Sequence, residues 1–369
     1  MKFKLEKINI LFHIYSVIIM KKKCAIIGCS GMAGQQFIES LQNHPWFEIT
    51  GLFGSSRTGK SYKDILRYTD IKFTQNIEEM QVKKMDAFQA DEFDVAFSAV
   101  PSEAAAEIET SIAHKIPVIS TASYYRYFED VPIFLPIVNA KHVDLFKIQQ
   151  ENRNWNGFVC PGPNCTTVGL SISLYPIYRK FGLASVHMVS MQAVSGAGYD
   201  GVTSYEILGN IIPHIPKEEE KVQKELKKIF ATYINGKLNL PDFPIDAKCN
   251  RVPVLHGHTQ SIFFQTQKET TMEAIQKELS EFQSETKEFN LLNCPKHPIC
   301  LFSEKEPFRP QPRLELKHPE SGMITFVGGL EKTDHPNGFK MTVLSHNTQV
   351  GAGRGGVLSA EFLLKKGLI

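Results

Sequence analysis

The stretch Gly28-Cys29-Ser30-Gly31-Met32-Ala33-Gly34 constrains this chain more than any other. It follows a short apolar run, Cys24-Ala25-Ile26-Ile27, and precedes residues 35–41, whose pattern reads as a helix. A strand, a glycine turn and a helix start, in that order, open a parallel α/β sheet with a nucleotide at its edge. Glycine lets the backbone turn tightly and approach a pyrophosphate closely. The helix N-terminus then presents free N–H groups and the positive end of its dipole to the anion. The spacing here is Gly-x-x-Gly-x-x-Gly, not the commoner Gly-x-Gly-x-x-Gly. A glycine turn without a ligand therefore stays open as the alternative.

The pattern continues. A second strand, 47–53, runs into Gly54-Ser55-Ser56-Arg57-Thr58-Gly59-Lys60. An acidic residue near this place ordinarily meets the ribose hydroxyl of NAD. Serines and two cations stand there instead, which favours a 2′-phosphate and hence NADP; the alternative is a polar loop without a cofactor role. A third apolar run, 94–100, leads to an Ala- and Glu-rich helix, 103–113, and a strand at 116–120. Short strands alternating with helices make an open, mostly parallel sheet whose ligands bind beyond the strands' carboxyl ends. That rule brings Ser98 and residues 120–126 toward a site, with Arg126 either a ligand contact or a surface cation.

With 369 residues the chain has room for one large or two medium domains. Its net charge of +2 implies no field for nucleic acid. Seven cysteines in so long a chain are not a disulfide framework and point to a reducing, cytoplasmic setting. The apolar run 8–19 is too short to span a bilayer and lacks a small-residue cleavage site. Residues 1–19 are expected to be upstream sequence or a tail, with Met20 the start of the folded chain.

Two cysteines lie five residues apart in Cys160-Pro161-Gly162-Pro163-Asn164-Cys165-Thr166-Thr167. A cysteine metal site needs more ligands at convenient spacing, and none stand there, so no metal is expected. Cys160 follows Phe158-Val159 and reads as buried. Cys165 opens a helical run. A thiol at a helix N-terminus has its thiolate stabilised by the dipole, which favours a nucleophile at neutral pH; an inert cysteine near a helix cap is the alternative. Further on, a strand-like run 186–194 ends in Ser195-Gly196-Ala197-Gly198, and a second, 251–256, opens Arg251-Val252-Pro253-Val254-Leu255-His256-Gly257-His258. An arginine fork suits a carboxylate, and a histidine can take a thiol's proton or handle one at a reacting carbonyl.

Taken together these blocks resemble the aspartate-semialdehyde dehydrogenase family, in its archaeal and fungal branch, from about Lys21 to the end. The resemblance implies an α/β fold: a Rossmann-type NADP-binding domain joined to an α+β catalytic and dimerisation domain. The expected division is 20–154 for the first, 155–343 for the second, and 344–369 returning to the first. It places the nucleophile at Cys165 beside Asn164, the orienting glutamine at Gln192 in Gln-Ala-Val-Ser-Gly-Ala-Gly, the carboxylate-binding arginine at Arg251, and the acid–base histidine at His258. Arg126 matches the phosphate-binding arginine. Cofactor contacts are expected at Gly28, Ser30, Gly31, Met32, Ala33, Gly34, Ser55, Ser56, Arg57, Lys60, Ser98, Ser195, Gly196 and Asn347, the last in Leu344-Ser345-His346-Asn347 near the nicotinamide. Three positions depart from the pattern: no asparagine in Ser120-Thr121-Ala122-Ser123, Ile137 where glutamate is common, and a bulky charge at Arg354.

The implied reaction is NADPH-dependent reduction of L-aspartyl-4-phosphate to L-aspartate 4-semialdehyde and phosphate through a thioester on Cys165. A reductase of malonyl-CoA or N-acetylglutamyl phosphate is the enzyme alternative, and a nucleotide-binding regulator without turnover the alternative of another class. Partners implied are the small-molecule substrate and further copies of the chain, as a homodimer or homotetramer, with no nucleic acid and no membrane. Two further runs, 218–229 and 272–282, carry apolar residues at helical spacing and read as packing helices with solvated charges. Residues 302–312, FSEKEPFRPQP, read as an extended loop.

Overall fold

The computed structural model describes residues 20–67 and 69–369. The expected tail, 1–19, lies outside the described residues. The first sheet is parallel throughout, with order β3-β2-β1-β4-β5-β6: β1 Lys22–Ile27, β2 Phe47–Gly54, β3 Val82–Lys84, β4 Val95–Ser98, β5 Val118–Ser120 and β6 Val159–Pro161. This is the doubly wound order, whose switch point lies between β1 and β4. Along β1, Cys24 and Ile26 join one buried cluster while Ala25 and Ile27 join another. A strand covered on both faces reads as a continuous apolar run for that reason.

Helix α1, Met32–Leu41, buries Phe37, Ile38 and Leu41. Helix α2, Ser102–Ala113, packs on the β5–β6 side. Helix α3, Leu145–Arg153, precedes β6. The expected domain boundary at 154/155 falls short of the first sheet's edge, because β6 pairs with β5 in parallel register. Only after Pro161 does the chain leave that sheet, through helix α4, Cys165–Phe181.

The second sheet is mixed, with order β10-β7-β11-β14-β13-β12: β7 Ser185–Gln192, β10 Ile245–Arg251, β11 His258–Gln265, β12 Ile299–Leu301, β13 Thr325–Lys332 and β14 Gly338–Ser345. A hairpin, β8 Thr232–Ile234 and β9 Lys237–Asn239, stands apart. Helices α4, α5 (Glu218–Ile229) and α6 (Met272–Ser280) pack against strands of this sheet. Helix α4 is buried along most of its length, through Val168, Leu170, Ile172, Leu174 and Ile177, each burial stabilising by about 1.5–3 kcal/mol. The last helix, α7 (Gly353–Lys365), returns to pack on α1 and β5.

Two expectations about elements need correction. Residues 251–256 are not a strand; Arg251 closes β10, and the chain then turns through Pro253. Strand β13 begins at Thr325, after a 3-10 turn over Pro319–Met323. The charges of α5 are not all solvated: Glu218, Glu225 and Lys228 are buried. No helix among the described residues is long and apolar enough to cross a membrane.

Candidate active site

The glycine turn works as three separate requirements. Gly28 has φ +75°, and a Cβ there would sit 2.6 Å from the Ala99 carbonyl oxygen at the end of β4. A Cβ on Gly34 would sit 2.2 Å from the Gly28 oxygen, so only glycine lets α1 close on β1. Gly31 is the helix N-cap and offers no side chain to its N–H groups. Those donors stay available to an anion.

Across from this turn, strand register assembles the second half of the site. Arg251 at the end of β10 lies opposite Gln192 at the end of β7. His258 opens β11 opposite Ser345, the last residue of β14. Residues 192, 251, 258 and 345, up to 153 positions apart along the chain, thus meet at one end of one sheet.

Between the halves stands Cys165, first residue of α4. Asn164 caps the helix: its Oδ1 accepts from the Thr166 N–H at 2.9 Å and the Thr167 N–H at 3.4 Å. Such a cap is worth about 1 kcal/mol, and here it also fixes where the thiol begins. Cys165 is partly buried, Cys160 fully so, and both are free thiols. The sulfur lies 3.2 Å from His258 Nε2. The Ala193 N–H donates to His258 Nδ1 at 3.1 Å, which assigns the neutral ring its proton on Nε2, facing the sulfur.

The electrostatics differ from the simple helix-dipole expectation. Burial pushes the Cys165 thiol up to about 12, with Glu218 adding and Arg251, Arg126 and Lys221 opposing. Burial, then Arg251 and His346, hold His258 down at about 3. Desolvation outweighs one helix terminus. Both shifts favour the uncharged forms, a thiol and a neutral imidazole. With Nδ1 occupied by a backbone donor, His258 is set to donate to the sulfur rather than to strip its proton.

Arg251 is buried, and its Nη1 donates to the Ala193 carbonyl at 2.8 Å. Gly196 closes the space before it: a Cβ there would lie 2.9 Å from Arg251 Nη1 and 3.1 Å from His258 Cε1. Asn347 is fixed at both ends of its amide. Its Oδ1 accepts from the Gly257 N–H at 2.8 Å, and its Nδ2 donates to Ser195 Oγ at 2.8 Å. Ser195 in turn pairs with His256 Nδ1 at 3.0 Å. Gln192 is buried and its Nε2 donates to Ser190 Oγ at 3.2 Å.

A cavity of about 300 Å³ is lined by Met32, Ala33, Arg126, Asn164, Cys165, Ser195, Gly196 and Asn347, while Gln192, Arg251 and His258 are not in its lining. A second cavity of about 670 Å³ shares Met32, Ser195, Gly198 and Thr348 with it. Gly28, Ser30, Gly31 and Gly34 form the turn behind Met32. Ser55, Ser56 and Lys60 are exposed beyond β2, and Arg57 there donates to the Ile65 carbonyl at 3.2 Å. Ser98 does not reach the cavity: its side chain is fully buried at the end of β4.

Two residues in the site were passed over in the sequence. Lys221 lines the cavity beside Arg126. Glu218 accepts from Asn164 Nδ2 at 2.8 Å and pairs with Lys221 at 3.5 Å. The available signal was spacing. Charges at 218, 221, 225 and 228 fall on one helical stripe, beside the apolar one at 222, 226 and 229.

Residues 23–146 match the family model for the semialdehyde dehydrogenase NAD binding domain, and residues 174–350 that for the semialdehyde dehydrogenase dimerisation domain. The aspartate-semialdehyde dehydrogenase of Archaeoglobus fulgidus is 39% identical over 353 residues, covering 95% of this chain and 100% of that one. The malonyl CoA reductase (NADP) of Metallosphaera sedula is 32% identical over 354 residues, covering 94% of this chain and 98% of that one. The crystal structure of aspartate semialdehyde dehydrogenase with NADP from Candida albicans superposes with a TM-score of 0.86 at 33% identity, covering 94% of this chain and 100% of that one. Fold, site and similarity over nearly the full length agree: the chain belongs to the aspartate-semialdehyde dehydrogenase family.

Proposed function

We propose that this protein is an NADP-dependent aspartate-semialdehyde dehydrogenase that reduces L-aspartyl-4-phosphate to L-aspartate 4-semialdehyde and phosphate. The observation that carries the reading is the 3.2 Å contact between Cys165 Sγ and His258 Nε2, with Cys165 lining a cavity that has Met32 and Ala33, after the glycine turn, on one side and Arg126 and Lys221 on another.

The glycine turn fits a dinucleotide, since any side chain at Gly28 or Gly34 would fill the space the backbone closes. Gly31, Met32 and Ala33 would hold the pyrophosphate, the 55–60 loop the 2′-phosphate, and Asn347 the carboxamide. Bound there, NADPH supplies the hydride. Arg251, its fork steadied by the Ala193 carbonyl, takes the substrate's α-carboxylate. Cys165 attacks the acyl carbon. The C–O bond to phosphate breaks as the C–S bond forms, and the thiol's proton leaves on hydrogen phosphate, whose charge Arg126 and Lys221 balance. A thioester accepts hydride more readily than a carboxylate, and the thiolate then leaves well, so covalent catalysis divides one hard step into two. His258 holds its Nε2 proton toward the sulfur and the carbonyl oxygen, where negative charge develops. Gln192 orients the acyl group.

We assign the first domain to 20–161 and the second to 165–345, with 346–369 returning to the first. The face of the second sheet that exposes Val189 and Phe263 is read as the seat of a second copy, so sedimentation should give a dimer or a tetramer. Seven free cysteines support a cytoplasmic setting.

The test is the reverse reaction. Aspartate semialdehyde, phosphate and NADP should yield NADPH, and Cys165→Ala should abolish that while cofactor binding persists. No turnover there, with a good rate on malonyl-CoA plus NADPH, would replace the substrate assignment. Comparing NAD with NADP tests the 55–60 loop.

A further inference from the structure

Glu225 is a carboxylate with no exposure at all, in the middle of α5. Burying a charge there is costly unless both oxygens are paired, and both are. Oε1 accepts from Arg126 Nη1 at 2.9 Å and from the Tyr127 hydroxyl at 3.3 Å. Oε2 accepts from the backbone N–H of Asn164 at 2.6 Å. One carboxylate therefore ties the guanidinium on one wall of the cavity to the peptide immediately before the nucleophile. The guanidinium is further held by Nη2, which donates to the Thr121 carbonyl at 2.9 Å. One turn along α5, Lys228 Nζ donates to the carbonyls of Arg126 at 2.8 Å and Phe128 at 2.6 Å. In the other direction Lys221 enters the same cavity.

We propose that Glu225 is a positioning residue that sets the distance between the site of the departing phosphate and the sulfur that displaces it. This rests on reading the cavity as an acyl-phosphate site. A buried ion pair contributes little net stability. Here its two oxygens reach two different parts of the chemistry, and that gives the pair a geometric use. Arg251, which faces the other end of the substrate, sits on β10 and shares no hydrogen bond with Glu225. Disturbing Glu225 must therefore act on phosphate and spare the carboxylate.

The experiment uses the full chain in the phosphate-dependent direction. Glu225→Gln keeps the shape, but its amide turns a donor toward either Arg126 or Asn164, both donors themselves. The KM for phosphate should rise about tenfold, the size of one lost charge-assisted contact, while the KM for aspartate semialdehyde stays within about twofold. Glu225→Asp keeps the charge and withdraws it by one methylene. It should raise the phosphate KM by a smaller factor, and it carries the test alone if the glutamine variant does not fold. A readout free of turnover accompanies both: inorganic phosphate should protect Cys165 from iodoacetamide in the wild type, and only at higher concentration in the variants. If folded variants leave phosphate KM and protection unchanged, or raise both substrates' KM values equally, Glu225 only fills space and the proposal fails. A wild type that protects Cys165 with phosphate yet turns over no aspartate semialdehyde would overturn the substrate assignment instead, leaving Glu225 to be judged by protection.

Discussion

Gly196→Ala isolates the reacting groups from the fold. The backbone at Gly196 is not in the left-handed region, so alanine adds no strain and slightly lowers the entropy of the unfolded chain. The new Cβ would lie 2.9 Å from Arg251 Nη1, 3.1 Å from His258 Cε1 and 3.2 Å from His258 Nε2. Carbon normally keeps about 3.5 Å or more from such neighbours, so both groups must retreat by roughly half an ångström. Neither is free to do so. Arg251 is held at 2.8 Å by the Ala193 carbonyl, and His258 lies between the Ala193 N–H at 3.1 Å and the sulfur at 3.2 Å. Losing or bending one charge-assisted hydrogen bond costs about 1.5–3 kcal/mol, roughly 10- to 150-fold in rate. The assay is kcat/KM for aspartate semialdehyde with saturating phosphate and NADP, alongside the melting temperature. The expected result is a fall of about two orders of magnitude with a melting temperature lowered by only a few degrees. Wild-type kcat/KM would show that the space before Gly196 is not where Arg251 and His258 act. A collapsed melting temperature would show that the glycine serves packing instead.

Other changes probe other parts. Arg251→Lys replaces a fork with a point charge; kcat/KM for aspartate semialdehyde should drop about 10- to 100-fold while NADP affinity, by fluorescence titration, holds, and an unchanged kcat/KM would remove Arg251 from the site. Lys221→Met should raise the phosphate KM with little effect on the semialdehyde KM; no change would mean that Arg126 alone meets the anion. Glu109, fully buried behind the site, has Oε1 bonded to Ser120 at 2.6 Å and Oε2 unpaired. Burial raises it from 4.5 to about 7. A raised carboxyl favours the folded state while protonated, so that stability is present below about pH 4.5 and is lost as pH climbs through about 7, up to about 3 kcal/mol. Glu109→Gln should flatten this part of the pH dependence in urea titrations between pH 5 and 8; parallel curves for variant and wild type would refute the assignment.

Much of this was written locally. Gly28 needs φ +75°, which its neighbours in the sequence announce as a strand feeding a helix. Asn164 before Cys165 announces a cap, because the cap bonds reach only two and three residues ahead. The family blocks around Gln192, Arg251 and His258 supplied the remaining identities through resemblance rather than through any property of those residues alone.

Only the tertiary structure decided what distance along the chain conceals. Register placed Gln192 opposite Arg251, and the Ala193 N–H chose the tautomer of His258. Burial by residues from several elements reversed the expected acidity of Cys165. The charges of α5 looked solvated because their partners, Arg126, Asn164 and the 126–128 backbone, lie on other elements. Caps and tight turns are closed by neighbours in sequence and can be read there. Desolvation and ion pairing depend on which distant surfaces fold over a group, and so they belong to the folded molecule.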